Sequence, residues 1–171
     1  MHENSTSASH PLSVLFLDID DVLVVPSLYK IKSRRRVRDG RKVHYAFLPS
    51  ARACLLSLLS ECPDTALVIS STWRLEGIAE FSTIFRLNGC GEYLQRLHGD
   101  WRTCDEVRGV SRSDEIDEWL SRHPEVIHAA AIDNDPSIVG RPWAVPIDPL
   151  VGFTEEPTLA AIALLRPDVP S

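Results

Sequence analysis

Asp18, Asp20 and Asp21 stand inside an otherwise apolar run, Phe16-Leu17-Asp18-Ile19-Asp20-Asp21-Val22-Leu23. Acids in such surroundings are costly unless they are paired, hydrogen-bonded or bound to a cation, so the segment reads as a site that needs negative charge. At the two-residue period of an extended chain, Asp18 and Asp20 project to one side and aim both carboxylates at one place. Two further apolar runs also end in polar clusters. Ser70-Ser71-Thr72 offers hydroxyls and backbone N–H groups at the mouth of a helix, which suit a phosphate. Asp133-Asn134-Asp135 offers hard oxygen ligands of the kind magnesium prefers, with Asn134 and Asp135 alternative companions to Asp133. Arg112, just ahead of a predicted helix over 113–122, adds a cation to the same face, and Arg108 is the alternative.

These residues need elements that bring them together. Residues 13–17, 66–69 and 126–132 are short apolar runs that suit strands buried on both faces, as in a parallel sheet. Helical patterns lie between and after them: 49–61 with Leu55, Leu56, Leu58 and Leu59 on one side, 113–122 with Ile116, Trp119 and Leu120, and 156–165 with Leu159, Ile162 and Ala163. Pro49, Pro63, Pro124 and Pro167 mark their ends. Strands alternating with helices predict an α/β fold, a Rossmann-like and mainly parallel sheet with flanking helices. Ligands of such sheets bind beyond the carboxyl ends of the strands, where all three polar clusters fall. Trp73 and Trp119 are read as packing residues.

The four ordered motifs resemble those of the haloacid dehalogenase-like (HAD) phosphohydrolases. Asp18-Ile19-Asp20-Asp21-Val22 is similar to the first motif, Leu67-Val68-Ile69-Ser70 to the second, Arg112 to the third and Ala130-Ala131-Ile132-Asp133-Asn134-Asp135 to the fourth. More narrowly, Ile69-Ser70-Ser71-Thr72-Trp73-Arg74, Arg112-Ser113-Asp114-Glu115-Ile116 with Trp119-Leu120, and Gly152-Phe153-Thr154 are similar to the small HAD domains of the Swiss-Army-knife RNA-repair-like group. The resemblance implies a magnesium-dependent phosphatase that works through an aspartyl-phosphate. In that reading Asp18 is the nucleophile and Asp20 the acid and base. Ser70, Ser71 and Arg112 hold the phosphate, and Asp18, Asp20, Asp133 and Asn134 form the metal site. It also implies a minimal flap or cap inserted after the first strand, about residues 25–48, within a domain of 13–166 flanked by a flexible 1–12 and a tail at 167–171. The sequence departs from the family where Asp21 replaces the usual Gly, Arg112 the commoner Lys and Asn134 an acid.

A chain of 171 residues fits one domain of ordinary globular composition. Its polar start carries no apolar targeting core and its most hydrophobic stretch is too short to span a bilayer, so a cytoplasmic protein with no membrane partner is expected. The net charge of −6 argues by itself against a nucleic-acid coat, yet the charge is sorted along the chain. Residues 30–42 hold Lys30, Lys32, Arg34, Arg35, Arg36, Arg38, Arg41 and Lys42 against Asp39 alone. In the resemblance this basic segment is the flap over the site, with Asp39-Gly40 turning between two arms. That many cations suit a polyanion better than a small monophosphate, so an RNA or DNA terminal phosphate or a nucleotide is the favoured substrate. The alternative is a catalytically impaired HAD-like domain that binds nucleic acid through 30–42. A response-regulator receiver domain also pairs acids with magnesium, but its motif order differs and it needs a late Lys that this chain lacks.

Overall fold

The computed structural model describes residues 12–25, 36–39, 42–106 and 109–167, with 36–39 and 42–45 as backbone. Five strands form one sheet in the order β5-β4-β1-β6-β7, and every pairing in it is parallel. They are β1 (Leu12–Leu17), β4 (Thr65–Ile69), β5 (Leu97–Arg102), β6 (Val126–Asp133) and β7 (Ala144–Pro146). A separate antiparallel hairpin joins β2 (Arg36–Asp39) to β3 (Lys42–Tyr45) with Asp39 opposite Lys42. Four helices complete the fold: α1 (Pro49–Glu61), α2 (Ile78–Leu87), α3 (Arg112–Arg122) and α4 (Glu155–Leu165).

Alternation along β1 explains the layers. Leu15 and Leu17 enter the core beneath α1, α2 and α4, whereas Val14 and Phe16 enter a second core beneath α3. The result is a three-layer, Rossmann-like α/β arrangement. The chain moves outward from β1 to β4 and β5, then returns to build β6 and β7 on the other side, so the strand order reverses at β1. A crevice at such a reversal is where open parallel sheets bind ligands. Among the described residues no helix is long and apolar enough to cross a membrane.

Two expectations change. The core face of α4 is Thr158, Ala161 and Leu165, while Leu159 and Ala163 are exposed. Leu and Ala spread around that helix, so apolar spacing alone picked the wrong stripe. Arg112 does not precede α3 but is its first residue, because Ser111 caps the helix by accepting a hydrogen bond from Asp114 N. The strands β5 and β7 were not expected: β5 reads Leu-His-Gly-Asp-Trp-Arg and β7 is three residues long, so neither shows an apolar run.

The loop after β1 folds tightly on itself. Leu23 N and Val24 N donate to Ile19 O, Asp21 N donates to Val24 O, and Asp21 takes φ of 60°. Asp21 therefore occupies the left-handed conformation for which Gly is the usual residue. The Gly152-Phe153 segment clasps this loop from the far side, with Phe153 N donating to Val22 O at 3.0 Å. A Cβ on Gly152 would lie 2.5 Å from Val25 Cγ2, and Gly152 has φ of 80°. Gly152→Ala is thus expected to destabilise the protein by about 2 to 4 kcal/mol through overlap and strain together. Chemical denaturation checks this; a loss below about 1 kcal/mol would mean that the clasp yields.

Candidate active site

The carboxyl ends of β1, β4 and β6 bring Asp18, Ser70 and Asp133 to one place, and the first turn of α3 brings Arg112. Asp18 and Asp133 are both buried, at 5% and 1% exposure. Burial raises the Asp18 carboxyl from 3.8 to about 8, with repulsion from Asp133 adding to it and Arg112 opposing it. Burial also raises Asp133, against the pull of Arg112, the Asp135 N–H and the Ser70 hydroxyl. Among the described residues the site is thus an excess of buried carboxylate held by one cation.

That cation is well tied. Arg112 Nη1 donates to Glu115 Oε2 at 2.9 Å and to the carbonyl of Ser70, while Nε lies 3.1 Å from Asp133 Oδ2. The Nε–H is not aimed along that last contact, so it remains buried without an acceptor. Burial works against the charge of Arg112, but Asp133, Asp18 and Glu115 outweigh it and raise its pKa. Arg112 therefore enters the site as a fixed cation with unspent hydrogen-bonding capacity.

The second motif differs from its sequence reading. Ser70 and Ser71 are fully buried, and Ser70 Oγ donates to Asp133 Oδ2 at 3.1 Å. Ser71 caps a five-residue 3-10 turn, Thr72–Glu76, and α2 starts only after Gly77. No α-helix opens directly at Ser71, because Gly77 takes φ of 85° and breaks the chain direction. Asp135 Oδ1 accepts from Ser137 N at 2.8 Å and so serves a local turn. Asn134 is half-buried beside Asp133.

Trp73 is more than packing. Its ring lies against the core, and Nε1 donates to Asp20 Oδ2 at 2.9 Å. Asp20 is the exposed acid of the pair, and partial burial raises it while the Trp73 bond lowers it. Sequence reasoning also missed Arg74 and Glu115, although both lie in quoted motif segments. Arg74 is 1% exposed, and its Nη2 donates to Glu115 Oε1 at 3.0 Å. The sequence signal available was the motif itself, since a buried Arg has no local pattern. Trp119 is fully buried, edge-on to Phe16, as its packing reading requires.

Of the basic segment, Lys30, Lys32, Arg34, Arg35 and Arg41 lie outside the described residues, as does Arg108. Arg36 and Arg38 stand on β2 and Lys42 on β3. The β2 backbone lies beside α2, the helix that follows the turn carrying Trp73 and Arg74.

A family model described as the HAD domain in Swiss Army Knife RNA repair proteins matches residues 14–158, which include Asp18, Ser70, Arg112 and Asp133. No curated protein and no solved structure matches the chain.

Proposed function

The chain belongs to the family of HAD domains in Swiss Army Knife RNA repair proteins, which implies phosphohydrolase-type chemistry, and we propose that it is a magnesium-dependent phosphatase of nucleic-acid termini or nucleotides. The convergence of Asp18, Ser70, Arg112 and Asp133 at the strand reversal supports this reading. Asp18 attacks phosphorus, and the bond to the leaving oxygen breaks as the aspartyl-phosphate forms. Asp20 protonates that oxygen, then takes a proton from the water that cleaves the acyl phosphate and frees Asp18. Arg112, Ser70 and the N–H of Ser71 hold the non-bridging oxygens, where positioning and charge carry most of phosphoryl transfer.

The donor set fits magnesium: two buried carboxylates whose ionisation burial and repulsion oppose, Asp18 and Asp133, with the amide oxygen of Asn134 beside them. The carboxylates, the Asp20 carbonyl and Asn134 would hold the ion, which would supply the positive charge that favours ionised Asp18 and screens it from the phosphate. The hard oxygen set suits this ion better than zinc or copper.

Trp73 orients Asp20, because an indole N–H only donates and so marks one carboxyl oxygen as unprotonated. Trp73→Phe is expected to lower kcat/KM, which reports the leaving-group step, about tenfold for ribose phosphates while hardly changing it for p-nitrophenyl phosphate, whose leaving group needs no proton. Equal losses of kcat/KM on both substrates would assign the indole to packing alone.

The basic segment supports the polyanion substrate. The reading is tested by magnesium-dependent phosphate release from p-nitrophenyl phosphate, nucleotides and 3'- or 5'-phosphorylated oligonucleotides. The expected result is that changing Arg34, Arg35, Arg36 and Arg38 to Ala lowers oligonucleotide turnover on the order of tenfold, with added salt acting alike. Small phosphates should be spared. Oligonucleotide turnover insensitive to both removes the polyanion substrate, and no release from any ester removes the phosphatase and leaves a polyanion-binding domain.

A further inference from the structure

Arg74 and Arg112 both donate to the carbonyl of Ser70, so two cations from distant parts of the chain crowd one oxygen. Among the described residues Glu115 is the acid that touches both. Its Oε1 and Oε2 lie 3.0 and 3.2 Å from Arg74 Nη2, and Oε2 accepts from Arg112 Nη1 at 2.9 Å. Thr103 Oγ1 donates to Oε2 at 3.2 Å and Cys104 Sγ to Oε1 at 3.3 Å. Glu115 is 7% exposed, and Arg74 is fixed at its other edge by donating from Nε to Cys104 O at 3.1 Å. A carboxylate so enclosed has no freedom to follow a moving partner, and a fully satisfied buried network of this kind is rigid.

The consequence falls on Arg112. A guanidinium grips a carboxylate or phosphate in parallel pairs of N–H bonds, and one such pair uses Nε–H with a proton of Nη2. Asp133 Oδ2 stands 3.1 Å from Nε, near enough for Arg112 to close on it. It does not close: the Nε–H has no acceptor, and Nη2 bonds to nothing among the described residues. Glu115 and the Ser70 carbonyl instead hold Arg112 by Nη1.

We propose that Glu115 is a positioning residue: braced by Arg74, it holds Arg112 by Nη1 and keeps the Nε and Nη2 edge open to a phosphoryl oxygen. The proposal rests on the phosphatase reading. It gives the departure from Lys a purpose, since a lysine ammonium has no second edge with which to be held while it binds.

The test uses the full chain with magnesium, p-nitrophenyl phosphate as substrate, orthophosphate as competing ligand, and the 15N resonance of Arg112 Nε. Glu115→Gln keeps the shape and removes the charge. It is expected to lower kcat/KM about 100-fold, the scale of a misplaced catalytic group, and to weaken orthophosphate inhibition about tenfold. The shift of the Arg112 Nε resonance on adding orthophosphate should disappear with it. Thr103→Val, which removes one bond to Glu115 and leaves its charge, should move all three in the same direction by about threefold. A folded Glu115→Gln protein with unaltered kcat/KM and orthophosphate inhibition overturns the proposal even if it melts earlier. If that variant does not fold, unaltered values in Thr103→Val overturn it. Should the unaltered protein hydrolyse no ester, the phosphatase reading fails. An orthophosphate shift at Arg112 that Glu115→Gln abolishes or, failing that, Thr103→Val reduces would then keep the positioning role, and absence of any shift would end both.

Discussion

Asp18→Asn is expected to abolish phosphate release, by about 10,000-fold or more, and at the same time to make the magnesium-free protein more stable at pH 8. The first effect follows from loss of the nucleophile. The second follows from where Asp18 sits. Its carboxyl has an ordinary value of 3.8 and is pushed to about 8 in the folded protein, mainly by burial and then by Asp133. Between those values the folded chain keeps a proton that the unfolded chain has released. The associated stability is fully present below about pH 3.8 and is lost as pH rises through about 8. Asparagine has nothing to ionise and escapes that loss. The shift alone sets a ceiling near 6 kcal/mol, and sharing of charge with Asp133 and Arg112 reduces it to roughly 2 to 4 kcal/mol at pH 8. Magnesium should stabilise the unaltered protein and act weakly on the variant. Thermal melts at pH 5 and pH 8, with and without magnesium, check both halves. An Asp18→Asn protein that melts below the parent at pH 8 without metal would mean that Asp18 is ionised and well paired.

Arg112→Met is expected to cost about 3 to 5 kcal/mol, the usual penalty for removing one member of a buried charge network. Side-chain exposures of 13% for Arg112 and 2% for Asp133 place this pair beyond the reach of solvent screening, unlike a surface ion pair. Methionine fills most of the volume, so the loss measures charge more than packing. Adding Asp133→Asn to Arg112→Met should recover part of it, because that carboxylate is then no longer stranded. Urea denaturation of the two single variants and the double variant gives the coupling. A loss under about 1 kcal/mol for Arg112→Met would show that Asp133 takes up a proton at little cost. In the phosphatase reading the same variant also loses its grip on orthophosphate, which separates it from a purely structural change.

The acid motif was legible in the sequence because the penalty it carries is local. Three aspartates within an apolar run announce a candidate site whatever lies around them, and Ser70 and Asp133 were singled out by the same rule, that ligands of parallel sheets bind beyond the carboxyl ends of the strands. Alternation of such runs with helical patterns was enough for the α/β class and for three of the five sheet strands. The missed strands are an edge strand with little apolar content and one of three residues, which owe their place to neighbours already in the sheet. The α4 stripe was misread because a helix of Leu, Ala and Ile offers several faces, and only the sheet beneath it selects one.

What the sequence determined by itself is the kind of chemistry and its order along the chain: acids, then hydroxyls, then a cation, then acids again, with a basic segment placed after the first. That follows from desolvation and charge, which depend on residue type and immediate neighbours. Only the tertiary structure decided which groups restrain which. Arg74 meets Glu115 across 41 residues, Trp73 meets Asp20 across 53, and Ser70 meets Asp133 across 63. No local propensity encodes such pairs. They arise because the strand order reverses at β1, so segments far apart in sequence end at one edge of the sheet, where the cost of burying a charge is offset by the groups that the fold brings to it.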